Sequence, residues 1–218
     1  MANITLLVFI ITLISFFVKN NYAQGVGELA PPKPLEIFPS NSWGIDIMFG
    51  DAGFGLGTFL RKQFDVKWSA FADISFSETK DEREFEYIDY FGNIFTVGKK
   101  NRVFQVPLNF GAHYRIFENT VADNLRPYLS AGVGPTIIIT TPYEDEFFNS
   151  FGRAQAKYAL GGYIGLGANF GMDKSSLVGI NVRYYYSKIL SGGVESLEGR
   201  KKTEIQGFFI TLNLGLMY

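Results

Sequence analysis

Apolar side chains recur at every second position along most of this chain. Trp43, Ile45, Ile47 and Phe49 share one face, with Gly44, Asp46, Met48 and Gly50 opposite. Phe54, Leu56, Thr58 and Leu60 alternate with Gly55, Gly57, Phe59 and Arg61; Val66, Trp68, Ala70, Ala72, Ile74 and Phe76 alternate with Lys67, Ser69, Phe71, Asp73 and Ser75. The same pattern returns at 104–114, 129–139, 158–170 and 178–186. It returns last in Phe208, Ile210, Leu212, Leu214, Leu216 and Tyr218. A period of two is the signature of β-strands with one apolar face. Eight such strands are predicted, and an even number returns the chain to the side where it started.

The connections also alternate. Segments 78–101, 141–155 and 187–203 are long, whereas 62–65, 117–126 and 172–176 are short, and Gly50 to Gly53 reads as a tight turn. Long loops on one side and short turns on the other are the asymmetry of a membrane barrel. Within the first long loop, runs at 85–90 and 94–97 flank Gly92 and Asn93, which predicts a hairpin extending into water. Pro135 interrupts a central strand and predicts a bulge.

A soluble eight-stranded barrel would alternate in the same way. Two features separate the cases. Trp43, Trp68, Tyr114, Phe170 and Tyr218 fall at one end of the apolar faces. Phe49, Phe54, Phe76, Phe104, Tyr158, Tyr186 and Phe208 fall at the other, with aliphatic residues and Ala between, Phe110 being the exception. Two aromatic girdles around an aliphatic band suit a membrane and its interfaces. The opposite face is mostly Gly, Ser, Asn, Thr and Tyr, which suits the crowded lumen of a small barrel better than a solvated exterior. The fold class expected is all-β: an eight-stranded antiparallel transmembrane up-and-down β-barrel.

Arg126 to Pro135, reading Arg-Pro-Tyr-Leu-Ser-Ala-Gly-Val-Gly-Pro, resembles a strand that recurs in the OmpA/OmpX-like outer-membrane barrel domains. Gly161 to Phe170 followed by Val178 to Tyr186 is similar to the same family's Gly-rich hairpin. The resemblance covers about 43–218. It implies an outer-membrane location, lipid and lipopolysaccharide as surroundings, and barrel-insertion machinery as a partner during assembly. It also implies that Phe208, Ile210, Leu212, Leu214, Leu216 and Tyr218 form a C-terminal insertion signal. Such a barrel is expected to be a monomer.

Composition adds little beyond this. The 20 basic and 21 acidic residues nearly cancel, so nothing favours nucleic acid. The absence of Cys removes disulfides, thiolate metal sites and Cys nucleophiles. Ile4 to Val18 is apolar but, at about fifteen residues, short for a membrane helix. It predicts a signal peptide at 1–23, cleaved after Ala23, although no basic residue precedes it. A Pro-rich periplasmic linker is expected at 24–42 and the barrel at 43–218.

His113 is the single histidine, which excludes multi-His metal sites. A lipid deacylase would pair a His with a nearby Ser on the lipid side, whereas His113 falls on the inward face in a His-Tyr-Arg setting. Gly161 to Gly167 lies within a strand and so is no phosphate loop, and Glu144 to Glu146 reads as a solvated loop. Asp46, Arg61, Asp73, Arg115 and Arg183 also point inward with His113, which predicts a paired lumenal polar network. No cofactor, metal or catalytic group is expected. The function expected is a non-enzymatic outer-membrane protein, structural or surface-binding through its long outer loops. A narrow channel is the alternative, and a lipid-modifying enzyme is disfavoured.

Overall fold

A computed structural model describes residues 38–218, apart from 52, 82, 89, 93, 118–123 and 172–173. The expected signal peptide (1–23) and most of the expected linker (24–37) lie outside the described residues. The chain runs β1 (Asn41–Gly50), β2 (Gly53–Gln63), β3 (Trp68–Thr79), β4 (Glu86–Ile88), β5 (Ile94–Thr96), β6 (Asn101–Arg115) and β7 (Leu125–Pro142). There follow α1 (Phe147–Ser150), a 3-10 turn (Phe151–Arg153), β8 (Gln155–Phe170), β9 (Ser176–Ile189), β10 (Val194–Leu197), β11 (Arg200–Lys202) and β12 (Glu204–Met217).

Eight of these strands close into a barrel in the order β1, β12, β9, β8, β7, β6, β3, β2, every neighbour antiparallel. Pairing of β1 with β12, from Ser42 opposite Met217 to Gly50 opposite Phe209, closes the cylinder. Closure satisfies the backbone without leaving an edge, a requirement for any sheet that crosses hydrocarbon. β4 with β5 and β10 with β11 form two separate hairpins at the end of the long loops.

All eight expected strands are present, most with longer ends, although β3 begins at Trp68 and leaves Val66 outside. β6 begins at Asn101, β7 reaches Pro142, β9 reaches Ile189 and β12 begins at Glu204. β1 begins at Asn41, inside the expected linker, and the preceding Phe38 packs on Phe59, Leu177 and Met217. The hairpin at 85–97 is β4–β5; β10–β11 and α1 fall in segments expected to be loops. Pro135 makes no bulge. Pro107 opposite Thr136 and Phe110 opposite Val133 keep one register across the site, and Pro135 stays opposite Leu160 on β8. The missing N–H interrupts the ladder with β6 locally without inserting a residue.

Inward-facing glycines make room for rings. A Cβ on Gly111 or Gly132 would meet the Phe71 ring at 2.6 or 2.8 Å, and one on Gly44 would meet the Phe59 ring at 2.8 Å. These strands therefore alternate large and absent side chains across the lumen, which lets a narrow barrel fill with aromatics.

Candidate functional site

Arg183 of β9 stands at the centre of the lumen and is 1% exposed. Its Nη2 lies 3.0 Å from Asp46 Oδ2 of β1, and its Nη1 lies 3.7 Å from Asp73 Oδ2 of β3. Further donors satisfy the carboxylates. Asn109 donates to Asp73 Oδ1 at 2.9 Å, Tyr163 donates its hydroxyl to Asp73 Oδ2 at 2.9 Å, and Asn213 donates to Asp46. Arg183 also donates to the Tyr185 hydroxyl at 3.2 Å and lies over the Tyr163 ring. Buried charges are tolerated when paired and hydrogen-bonded in this way.

Apolar layers surround the network. Met48, Phe71, Tyr163, Tyr185 and Phe209 pack into one cluster at its level. Toward the long-loop end, Val103, Ile138, Ala159, Ile189 and Ile205 point inward from five strands and close on Val194 of β10. Toward the other end, Phe59, Leu177 and Met217 pack with Phe38. The lumen is thus filled at three levels.

Above the long-loop end the connections dock on one another. Lys99 and Glu84 form an ion pair at 2.9 Å that is buried on both sides, and the Ser196 hydroxyl donates to the same carboxylate at 2.6 Å. Lys100 pairs with Glu195 at 2.8 Å, and Asn101 donates to the Glu195 carbonyl at 2.6 Å. Arg102 donates to the Pro142 and Asp145 carbonyls and stacks on Tyr143. Burial alone would raise the Glu84 carboxyl, yet the Ser196 hydroxyl, Lys99 and the Asp81 amide hold it below the usual carboxylate range. Three long connections therefore form one cap. Beyond it projects the β4–β5 hairpin, with Tyr87, Ile88, Tyr90 and Phe91 exposed.

The barrel's outer wall is the reverse of its lumen. Ile45, Leu56, Leu60, Ile74, Leu129, Val133, Ile164, Leu166, Val182 and Ile210 are all exposed, as are most of the aromatics at the two ends of the strands. An apolar belt that encircles a molecule with a polar interior fits hydrocarbon and not water. The chain is a closed eight-stranded antiparallel β-barrel with an apolar outer belt.

Similar solved structures include the N-terminal barrel domain of OprF from Pseudomonas aeruginosa, at 14% identity and TM-score 0.47. The match covers 84% of this chain and 100% of that one. Neisserial surface protein A is similar at 11% identity and TM-score 0.46, covering 84% and 100%. Ail, the attachment invasion locus protein of Yersinia pestis, is similar at 14% identity and TM-score 0.41, covering 82% and 97%. No family model matches the chain, and no curated protein matches its sequence. Likeness at this level concerns fold, and nothing about activity follows from it.

Of the inward residues singled out in the sequence, Asp46, Asp73 and Arg183 form the central network. Arg61 stands apart toward the short-turn end, donating to Asn169 at 3.3 Å and lying over the Phe59 ring at 4.1 Å. His113 stacks between Phe71 and Tyr128, with ring centroids 4.6 and 4.5 Å away, and its Nε2 has no hydrogen-bond partner among the described residues. Arg115 lies half-buried at the end of β6, opposite Tyr128. Asn109, Asn181, Asn213, Tyr128 and Tyr163 are among the other buried polar residues of the lumen; their inward parity was readable, but their partners across the barrel were not.

The girdle residues Trp43, Trp68, Phe170 and Tyr218 are exposed at one end, with Tyr114 half-buried beside Trp68 at 4.8 Å. Phe49, Phe54, Phe76, Tyr158, Tyr186 and Phe208 are exposed at the other. Phe104 departs from the girdle expectation, being only 3% exposed. It stacks on Phe76 at 5.2 Å and is covered by Phe147 and Phe151, because α1 and its 3-10 turn fold back against the rim. Within the terminal segment, Phe208, Ile210, Leu212 and Leu216 face outward and Leu214 is half-buried on the same face.

Proposed function

We propose that this protein is a non-enzymatic integral outer-membrane barrel that does not conduct and that binds at the cell surface through its docked loop cap. Lipid and lipopolysaccharide are its surroundings in this reading. The carrying observation is the filled lumen. The Arg183–Asp46–Asp73 network is closed in by packed side chains at each end, Val103, Ile138 and Ile205 toward the loops and Phe59, Leu177 and Met217 toward the turns, with the buried Arg61 beside the latter already bonded to Asn169, so an ion entering from either side would have to displace them. A charge is costly in such surroundings. The setting of His113 also favours a non-enzymatic role: two rings enclose it, and its stacking partners are Phe71 and Tyr128 rather than a nucleophile. A surface role draws support from the exposed aromatic hairpin β4–β5, held out from a cap that is itself fixed by buried bonds.

Single-channel recording in planar bilayers tests this. The refolded protein is expected to give no sustained conductance above the bare membrane. A stable ohmic channel from the wild-type chain would replace the sealed barrel with a pore.

A further inference from the structure

A concave pocket of about 240 Å³ opens at the side of the cap. Its walls come from the start of β6, the end of β7, the 3-10 turn after α1, the start of β8 and the β10–β11 hairpin. Four cationic residues line it, Lys100, Arg153, Lys157 and Lys201, against a single carboxylate, Glu195. Lys100 already neutralises Glu195 at 2.8 Å, and the Gly199 amide donates to that carboxylate at 2.7 Å. Asp145 engages Arg153 from outside the lining. Lys157 reaches across to the Gly193 carbonyl and ties β8 to the second hairpin. The pocket therefore holds a surplus of positive charge in a chain whose overall charge is −1.

We infer that this pocket binds a phosphate dianion, carried by a monoester headgroup or free. Clustered Lys and Arg on a concave wall are the chemistry that recognises a compact dianion. Its position suits a group presented at a membrane interface: the turn carrying Arg153 also carries Phe151, which stacks on Phe104 at the outward face of the barrel. The phosphate could be a lipid headgroup or a free phosphate, and the two sources are separable. The inference extends the surface-binding reading to a named ligand class and does not depend on whether the lumen conducts.

The test uses the full chain refolded in detergent micelles, titrated with inorganic phosphate while amide resonances are followed. Saturable shifts at Gly193, Val194 and Lys201 are expected. Arg153→Gln with Lys201→Gln should weaken binding at least about tenfold, since two charge-assisted bonds are lost. Gln155→Glu leaves every cation in place and should also weaken binding by adding an anion to the wall. Unchanged heat-dependent gel mobility of each variant shows that the barrel is intact. Phosphorylated lipid A in nanodiscs assigns the source to a headgroup if it competes with inorganic phosphate. If it does not compete, the site takes free phosphate. Absence of saturable shifts with both probes, or wild-type affinity in both variants, overturns the inference. Channel conductance alongside intact phosphate binding would sink the sealed-barrel reading and leave this one standing.

Discussion

The barrel holds a buried ion pair at mid-lumen and another in its cap, and the two are built on different supports. Arg183 and Asp46 are almost fully buried, and so are Lys99 and Glu84. Burial does not distinguish them; scaffolding does. Arg183, Asp46 and Asp73 sit on β9, β1 and β3, three strands of one closed ladder. None of the three can move without breaking strand pairs. Glu84 and Lys99 lie on the two arms leading to a two-stranded hairpin, and Ser196 arrives from a second hairpin. That assembly can open while every barrel rung stays paired. Local opening free energies follow such differences in connectivity. The lumen pair therefore belongs to global stability, and the cap pair to a local unit at the surface.

The largest effect should come from Arg183→Met. It leaves Asp46 and Asp73 buried without their cation, which costs about 3–5 kcal/mol when one partner of a buried pair is removed. Refolding yield in micelles, read as the heat-modifiable fraction, should fall sharply. Adding Asp46→Asn and Asp73→Asn to the same variant should recover part of the loss, because neutral amides can hydrogen-bond where carboxylates would stand unpaired. If the single variant refolds like wild type, the central network does not stabilise the barrel.

A smaller effect separates wall from cap. Ile164 lies mid-wall on the outward face, between Ala131 and Tyr184. Ile164→Arg should cost about 2–4 kcal/mol of insertion. Tyr90, at 99% exposed on the hairpin tip, should accept Arg within about 0.5 kcal/mol. Folded fraction in liposomes compares the two. Equal damage would mean that the wall does not face lipid or that the tip does not face water.

What could be read in the sequence divides along the same line. Alternation of two located all eight strands, because each strand sits between two chemically opposite surfaces and every second residue reports one of them. Asp46, Asp73 and Arg183 were assigned inward by parity alone. Their meeting was not readable, since it depends on which strands face each other across the lumen. The alternation at 104–114, 178–186 and 208–218 stops short of Val103, Ile189 and Ile205, so the apolar layer beneath the cap is not visible in it. The cap itself has no such periodicity. Four-residue strands and a single helical turn leave too little pattern to detect. Phe104 was misread for the same reason, as nothing at 147–151 announces a turn that folds back over it. The Gly-flanked hairpin at 85–97 was the exception, because turn chemistry marks it locally.

The smallest effect, and the sharpest test of the cap as a separate unit, is Glu84→Gln. It keeps the shape and the Ser196 contact while removing the partner of the buried Lys99. The cost should be on the order of 1–3 kcal/mol, confined to the cap. Hydrogen exchange should quicken in segments 80–100 and 194–202, with barrel amides and refolding midpoint unchanged. Acid should mimic the substitution. The Glu84 carboxyl is held below its ordinary value of 4.5 in the folded cap, where Ser196, Lys99 and the Asp81 amide outweigh the effect of burial. A depressed carboxyl contributes stability that is complete above the unfolded value and is lost as pH falls through the folded one. Wild-type cap protection should therefore hold at neutral pH and decline only below about 4.5. The Gln variant, already open, should show no such step. If the cap and barrel instead lose protection together in the Gln variant, the two ion pairs belong to one cooperative unit and the distinction between them fails. If the variant keeps the acid step, a different carboxyl carries it, with Asp81 next in line. Burial would raise that group, but its bonds to Arg83 and the nearby charge of Lys202 also hold it low.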